Sequence, residues 1–457
     1  LPLSWLAMPR VHRWRPFMIA ASYVFYGWWD WRFVFLLAGC TVWNHVLAVR
    51  IHRSDTQTRR KALLWIALAG NLAVLGYFKY YDFFVDSSDN LLALVGADMP
   101  LEVRSVVLPV GISFYTFMAV SYVVDTYRGE IVPTTLERFA VYLSFFPHLV
   151  AGPIVRPGEL IPQLDTPRNP RRVDTSRAFY LIATGLFKKV VIANYLAGSI
   201  VDDVFGAPGQ YSSLEILIAV YAYAVQIYAD FSGYTDIAIG LALLLGFSFP
   251  QNFDSPYAAR SVQDFWRRWH MTLSRWLRDY VYIPLGGSRG RSVFTYRNLL
   301  LTMLIGGLWH GAGWTFVAWG AIHGSALAGE RWWKGRPGYV PPPDTRRRRV
   351  VERLLTFQLV CFAWIFFRAD SFATAWEMIT GLVTGWGEAS PLVTSGVLLA
   401  IAVGIGSQYL PARFPLLVME RFGRLPVLGQ AAVLAFALML TNAMGPEGVA
   451  PFIYFRF

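Results

Sequence analysis

Charge is what this chain is short of. Aspartate, glutamate, lysine and arginine make up 15% of its 457 residues, where a soluble globular protein carries roughly 25%. With 55% hydrophobic residues, 16% aromatics and a mean hydropathy of +0.41, that shortfall excludes a soluble domain and points to an integral membrane protein. Cysteine is nearly absent too. Cys40 and Cys361 are the only two, and both lie inside apolar runs, which excludes a disulfide scaffold and leaves them as small hydrophobes. No H-E-x-x-H pattern and no cysteine pair accompanies the seven histidines, so no metal site is expected.

The charge that is present is lopsided. The formal net charge of +12 reads as loop orientation by the positive-inside rule rather than as nucleic-acid binding. Basic clusters run from Arg50 to Lys61, Arg168 to Arg177, Arg267 to Arg297 and Arg331 to Arg353. If all four face the cytoplasm, an even number of crossings separates each from the next.

Apolar segments long enough to span, at about 20 residues each, occur near 17–49, 62–84, 105–125, 178–200, 213–247, 351–367, 393–410 and 428–446. Three more, 136–153, 298–309 and 371–384, are short or broken by glycine and proline and are expected to be re-entrant. Such irregular backbone at membrane depth is tolerated only where protein covers it or it lines a wet cavity. The chain begins LPLSWLAMPRVHRWRP, which reads as the end of a hydrophobic segment followed by a basic turn, so a helix is expected to precede Leu1. There is no internal repeat. The expectation is one membrane domain over 1–457, with a cytoplasmic linker at 335–350 and an aromatic tail at 451–457.

Residues 265–324 form the block of chemical interest, opening FWRRWHMTLSRWLRDYVYIPLGGSRG and closing LIGGLWHGAGWTFVAWGAIHG. His310 sits in Gly306-Gly307-Leu308-Trp309-His310-Gly311-Ala312-Gly313, whose small residues allow close approach of a backbone or ligand and weaken a regular helix. The imidazole is therefore expected at a bend. An ionisable group within the membrane is a functional candidate by default. On a helix, His270 shares a face with Trp266, Arg267 and Ser274, while the arginines around it also suit an amphipathic interfacial helix. His323, 13 residues after His310, reads as a packing or supporting histidine. Gln226, Asp230, Ser232, Tyr234 and Asp236 lie in apolar sequence and are expected to line a cavity or pair with arginines. Asn252, Asp254, Tyr257 and Arg260 read as a cytoplasmic rim. The tail holds Tyr454, either an interfacial aromatic or a phenol able to accept an acyl group.

Together SYVFYGWW (22–29), LGYFKYYDFF (75–84), LPVGISFYTF (108–117), FFPHLVAGPIVR (145–156), YADFSGYTDIAIG (228–240), FWRRWHMTLSRWLRDY (265–280), GGLWHG (306–311) and the terminal PFIYFRF resemble the membrane-bound O-acyltransferase superfamily, most closely its bacterial alginate-acetylating members. The resemblance implies an all-α polytopic protein with about ten or more transmembrane helices and re-entrant segments around a through-membrane tunnel. It implies a bacterial inner-membrane O-acetyltransferase that passes acetyl from a cytoplasmic thioester, acetyl-CoA or an acetylated acyl-carrier protein, toward an exported polysaccharide, with no bound cofactor. His310 falls on the family's catalytic histidine and His270 on its tunnel partner, with Tyr454 as acyl acceptor. Trp309 and Trp314 are candidates to steady an oxyanion, Asp230 and His323 to support, and Arg267, Arg268, Arg275 and Arg278 to hold donor phosphates. A periplasmic SGNH-like acetyltransferase is the expected partner, besides membrane lipids. The alternatives are the same chemistry on peptidoglycan, cellulose or teichoic acid, or a transporter with a histidine gate. A carrier is expected to show inverted repeats, and none is visible.

Overall fold

A computed structural model describes residues 1–94, 96, 106–411 and 413–444. Among these residues every regular element is helical. Among the described residues six helices are long and apolar enough to cross a membrane: Arg32–His52, Gln57–Leu94, Thr175–Gly206, Ser213–Leu244, Arg346–Arg368 and Val427–Met444. A seventh is added if the bent pair Ser395–Tyr409 and Arg413–Gly423 is one span. The chain is a polytopic helical membrane protein. Its contacts group into two compact units, Leu1–Ala178 with Ala238–Pro250, and Phe179–Ile237 with Gln251 onward.

The first unit is built on helices α1 (Val11–Gly27), α2 (Arg32–Arg53), α3 (Gln57–Leu75), α4 (Ile112–Arg128) and α5 (Leu136–Ser144). The apolar run expected as one span near 17–49 is split between α1 and α2. The Asp30 carboxylate accepts the Arg32 N–H at 3.0 Å and so starts α2 after the turn; the three tryptophans there, Trp28, Trp29 and Trp31, hid that turn in an apolar count. Asn44 and Asn71 satisfy each other across α2 and α3 through reciprocal amide bonds of 3.1 and 2.7 Å. The run 136–153 is α5 followed by one short turn, Phe146–Leu149, too short to cross.

In the second unit, which takes in most of α6 (Thr175–Leu186) and of α7 (Ser213–Leu244), α6 continues through π turns toward Gly206 and packs on α7. A Cβ on Gly185 would lie 2.6 Å from the Gly233 carbonyl oxygen, so only glycine permits this backbone contact. Two short helices follow, α8 (Val262–Arg268) and α9 (Met271–Leu277), then the hairpin of α10 (Ser292–His310) and α11 (Trp314–Lys334), and then α12 (Arg346–Arg368). The segment 298–309 is thus no short re-entrant piece but the body of a 19-residue helix. Gly306 and Gly307 do not break it because they serve packing: a Cβ on Gly307 would stand 2.2 Å from the Phe316 carbonyl oxygen, and one on Gly320 2.4 Å from that of Met303. Backbone-to-backbone contact of α10 and α11 replaces the helix propensity lost at glycine. Residues 336–345 carry no helix, but the run Arg346–Arg349 opens α12 instead of ending the linker, with the Thr345 hydroxyl accepting the Arg348 N–H.

Candidate active site

Helix α10 ends at His310, and the extended residues 311–313 turn the chain into α11. His310 is therefore presented from a helix terminus at a bend, 2% exposed. Its ring lies 5.0 Å from both Trp309 and Trp319 and 5.2 Å from Phe367, all near edge-on. The His270 ring is 6.3 Å away, centroid to centroid.

His270 is not on a helix. It is the residue before α9, with φ 41° and ψ 54°, in the left-handed region where a non-glycine residue stores roughly 1–3 kcal/mol of strain. Glycine would occupy this conformation more cheaply. The helical face shared with Trp266 and Ser274 is consequently lost. The imidazole is fully buried, edge-on to Phe231 at 4.6 Å and 5.8 Å from Trp309. Neither ring nitrogen meets a hydrogen-bond partner among the described residues. Desolvation pushes its pKa down to about 3, so the ring is neutral near pH 7.

His323 has a partner: the Trp266 indole N–H donates to its Nδ1 at 3.3 Å. It packs on Trp319 at 4.9 Å, one residue removed from His310. Trp309 is buried beside both catalytic candidates, whereas Trp314 opens α11 more than half exposed.

A cavity of about 390 Å³ opens beside this cluster. Met271, next to His270, and Met303, two turns before His310 on α10, line it together with Arg267, Arg275 and Arg278. Three of the four arginines singled out for phosphates thus share one wall. Arg268 is turned away and held by Asp264 at 2.8 Å. Arg278 pairs with Asp279 at 2.6 Å, while Arg267 makes no ion pair among the described residues. Among those residues, no group of three or more His, Cys, Asp or Glu side chains is placed to hold a metal ion. The sequence Gly286–Gly290 matches G-x-S-x-G, but Ser288 is exposed in a loop, its hydroxyl 2.8 Å from that of Tyr282, without a strand-to-helix elbow.

Asp230 and Asp236 pair with lysines, not arginines. Asp230 is bonded to Lys189, both almost fully buried, and Asp236 to Lys188. The local sequence FKKVV shows no partner for the two lysines. Asn252 and Tyr257 are buried instead of forming a rim, and Arg260 bridges Asp344 at 2.6 Å and Glu352 at 2.7 Å. Tyr454 lies outside the described residues.

The MBOAT, membrane-bound O-acyltransferase family, model matches residues 112–376. The chain is 44% identical over 372 residues to the Probable alginate O-acetylase AlgI of Azotobacter vinelandii, covering 80% of this chain and 72% of the relative. It is 37% identical to the Peptidoglycan O-acetyltransferase of Helicobacter pylori over 80% and 73% of the two chains. It is 27% identical to the Teichoic acid D-alanyltransferase of Bacillus subtilis over 57% and 69%.

Proposed function

We propose that this chain, which belongs to the membrane-bound O-acyltransferase family, is an O-acetyltransferase that delivers acetyl groups to an exported polysaccharide, alginate in the first instance. The observation that carries the reading is the pair of buried imidazoles, His270 and His310, with ring centroids 6.3 Å apart beside an arginine-walled cavity. The 44% identity to a protein named as an alginate O-acetylase supports the polymer, and the H. pylori relative favours peptidoglycan as the second reading.

The donor is an acetyl thioester, acetyl-CoA or an acetylated acyl-carrier protein, held from the cytoplasmic side of a bacterial inner membrane. Arg267, Arg275 and Arg278 bind its phosphates by charge-assisted hydrogen bonds. A neutral His310 accepts the proton of the acceptor hydroxyl as that oxygen attacks the thioester carbonyl. The C–S bond then breaks, the new C–O ester remains, and the proton passes to the departing thiolate. Water exclusion by Trp309, Trp319 and Phe367 favours transfer to the hydroxyl over hydrolysis.

Tyr454 is the proposed first acceptor, from which a periplasmic SGNH-like acetyltransferase takes the group onward. Phenol and imidazole differ by about 3.5 pKa units, roughly 5 kcal/mol against full deprotonation beforehand, so proton transfer accompanies attack. The developing oxyanion then needs a donor, for which Trp309, packed against both imidazoles, is the candidate. Mass spectrometry of the C-terminal peptide after incubation with acetyl-CoA is expected to show an acetyl adduct that Tyr454→Phe removes; its absence under trapping conditions would contradict the relay. The polymer is tested by replacing this chain in an alginate-producing cell and measuring alkali-labile acetyl on alginate and on peptidoglycan separately.

A further inference from the structure

The left-handed turn at His270 is bracketed by main chain from outside the 265–324 block. Asp254 N–H donates to the Arg268 carbonyl at 2.9 Å before the turn, and Met271 N–H donates to the Asn252 carbonyl at 2.9 Å after it. Asn252 does more. Its Oδ1 accepts the Thr272 N–H at 3.1 Å and the Thr272 hydroxyl at 2.9 Å, and its Nδ2 donates to the Thr235 hydroxyl at 3.4 Å. The first two N–H groups of α9 are among those a helix start leaves without intrahelical partners, and one residue, fully buried, takes both. His270 itself provides no side-chain cap.

The second link runs to α7. Thr235 lies one helical turn after Phe231, whose ring faces His270 at 4.6 Å. Asn252 therefore ties the residues that follow His270 to the helix that supplies one wall of its pocket.

We propose that Asn252 is a positioning residue: it holds His270 in the left-handed conformation and so aims the imidazole at His310. This rests on the reading of His270 as a member of the catalytic pair. Relaxation of the turn moves the ring away from Phe231 and Trp309 into a register where it cannot serve the reaction. A misplacement of about 1 Å costs on the order of 10²-fold in rate.

The test uses the full chain in cells, following [14C]acetate into alkali-labile esters of the exported polysaccharide, and so needs no prior choice of donor or polymer. Asn252→Ala is expected to lower the rate about as far as His270→Ala does and to add nothing in the His270→Ala background. Asn252→Asp, which keeps both acceptor bonds while the Thr235 hydroxyl turns to donate, is expected to restore most of the rate. Selective histidine labelling of purified protein in nanodiscs gives a readout independent of activity. The His270 Cα and Cβ shifts leave left-handed values in Asn252→Ala and keep them in Asn252→Asp. Where Asn252→Ala is not recovered folded, Asn252→Ser takes its place. Losses that multiply in the double variant, or His270 shifts unchanged by Asn252→Ala, overturn the proposal while the catalytic reading stands. A His270→Ala protein with full activity overturns both.

Discussion

His148 in the first unit and His270 in the second are buried in different ways. In the first, His148 is fully buried, yet its Nε2 reaches the Tyr142 carbonyl oxygen at 2.9 Å and its ring stacks on Phe249 at 5.2 Å. Asn44 and Asn71 likewise close on each other. In the second, charges are equally well matched, the buried Lys189 with Asp230 and the half-buried Lys188 with Asp236, but His270 is buried in strained backbone with neither nitrogen bonded among the described residues. A buried polar group without a partner costs roughly 1–3 kcal/mol. The contrast teaches that burial alone does not mark a functional histidine. Unsatisfied hydrogen-bonding capacity, backbone strain and a neighbouring cavity set His270 apart from His148.

Four substitutions would break or sharpen that contrast. The largest effect is expected at Lys189→Ala, which leaves Asp230 as an uncompensated buried charge and costs about 3–5 kcal/mol. Detergent-solubilised protein should lose its monodisperse peak, and an unaltered thermal midpoint would show that the pair is not structural. His270→Ala is expected to lower the acetylation rate on the order of 10²-fold with the fold intact; a loss of folded protein instead would place His270 with His148. Arg275→Ala in the cavity wall removes a charge-assisted contact of about 1.5–3 kcal/mol, raising KM for acetyl-CoA at least tenfold with little change in kcat. A pure kcat effect would take the cavity out of donor binding. His148→Ala is expected to cost ~2 kcal/mol of stability and to leave the acetylation rate of the folded fraction unchanged; loss of rate would erase the contrast.

Acidification gives the most general effect. Desolvation lowers the pKa of His148 to about 4 and of His270 to about 3, both below the ordinary value near 6.5. Between those values and 6.5 the unfolded chain binds protons that the folded one does not. Stability that is full above pH 6.5 therefore falls as the pH drops through that window. The thermal midpoint should be lower at pH 5 than at pH 7, and an equal midpoint would contradict the burial of neutral rings.

The membrane class and the helical fold were legible in the sequence, because hydrocarbon-compatible composition is a local signal. His310 at a bend was legible for the same reason: Gly311 and Gly313 stop α10 where the glycines promise a stop. The conformation of His270 was not. Trp266, Trp269, Leu273 and Leu277 keep helical spacing straight through the break, and the break is imposed by Asn252 and Asp254, which the sequence offers only as a polar rim. Nor was the continuity of α10 legible, since Gly306 and Gly307 look like breakers until α11 is packed against them. The lysine partners of Asp230 and Asp236 lie more than 40 residues away, beyond any local pattern. Nothing in the described residues bears on Tyr454.

The central claim is that His310 carries the chemistry within an otherwise intact fold. The most direct measurement is the alkali-labile acetyl content of the exported polysaccharide in cells whose only copy is His310→Ala, with the protein quantified in the same membranes. The account predicts wild-type protein levels and acetylation reduced by on the order of 10³-fold or more. Unchanged acetylation from a folded His310→Ala protein would contradict it.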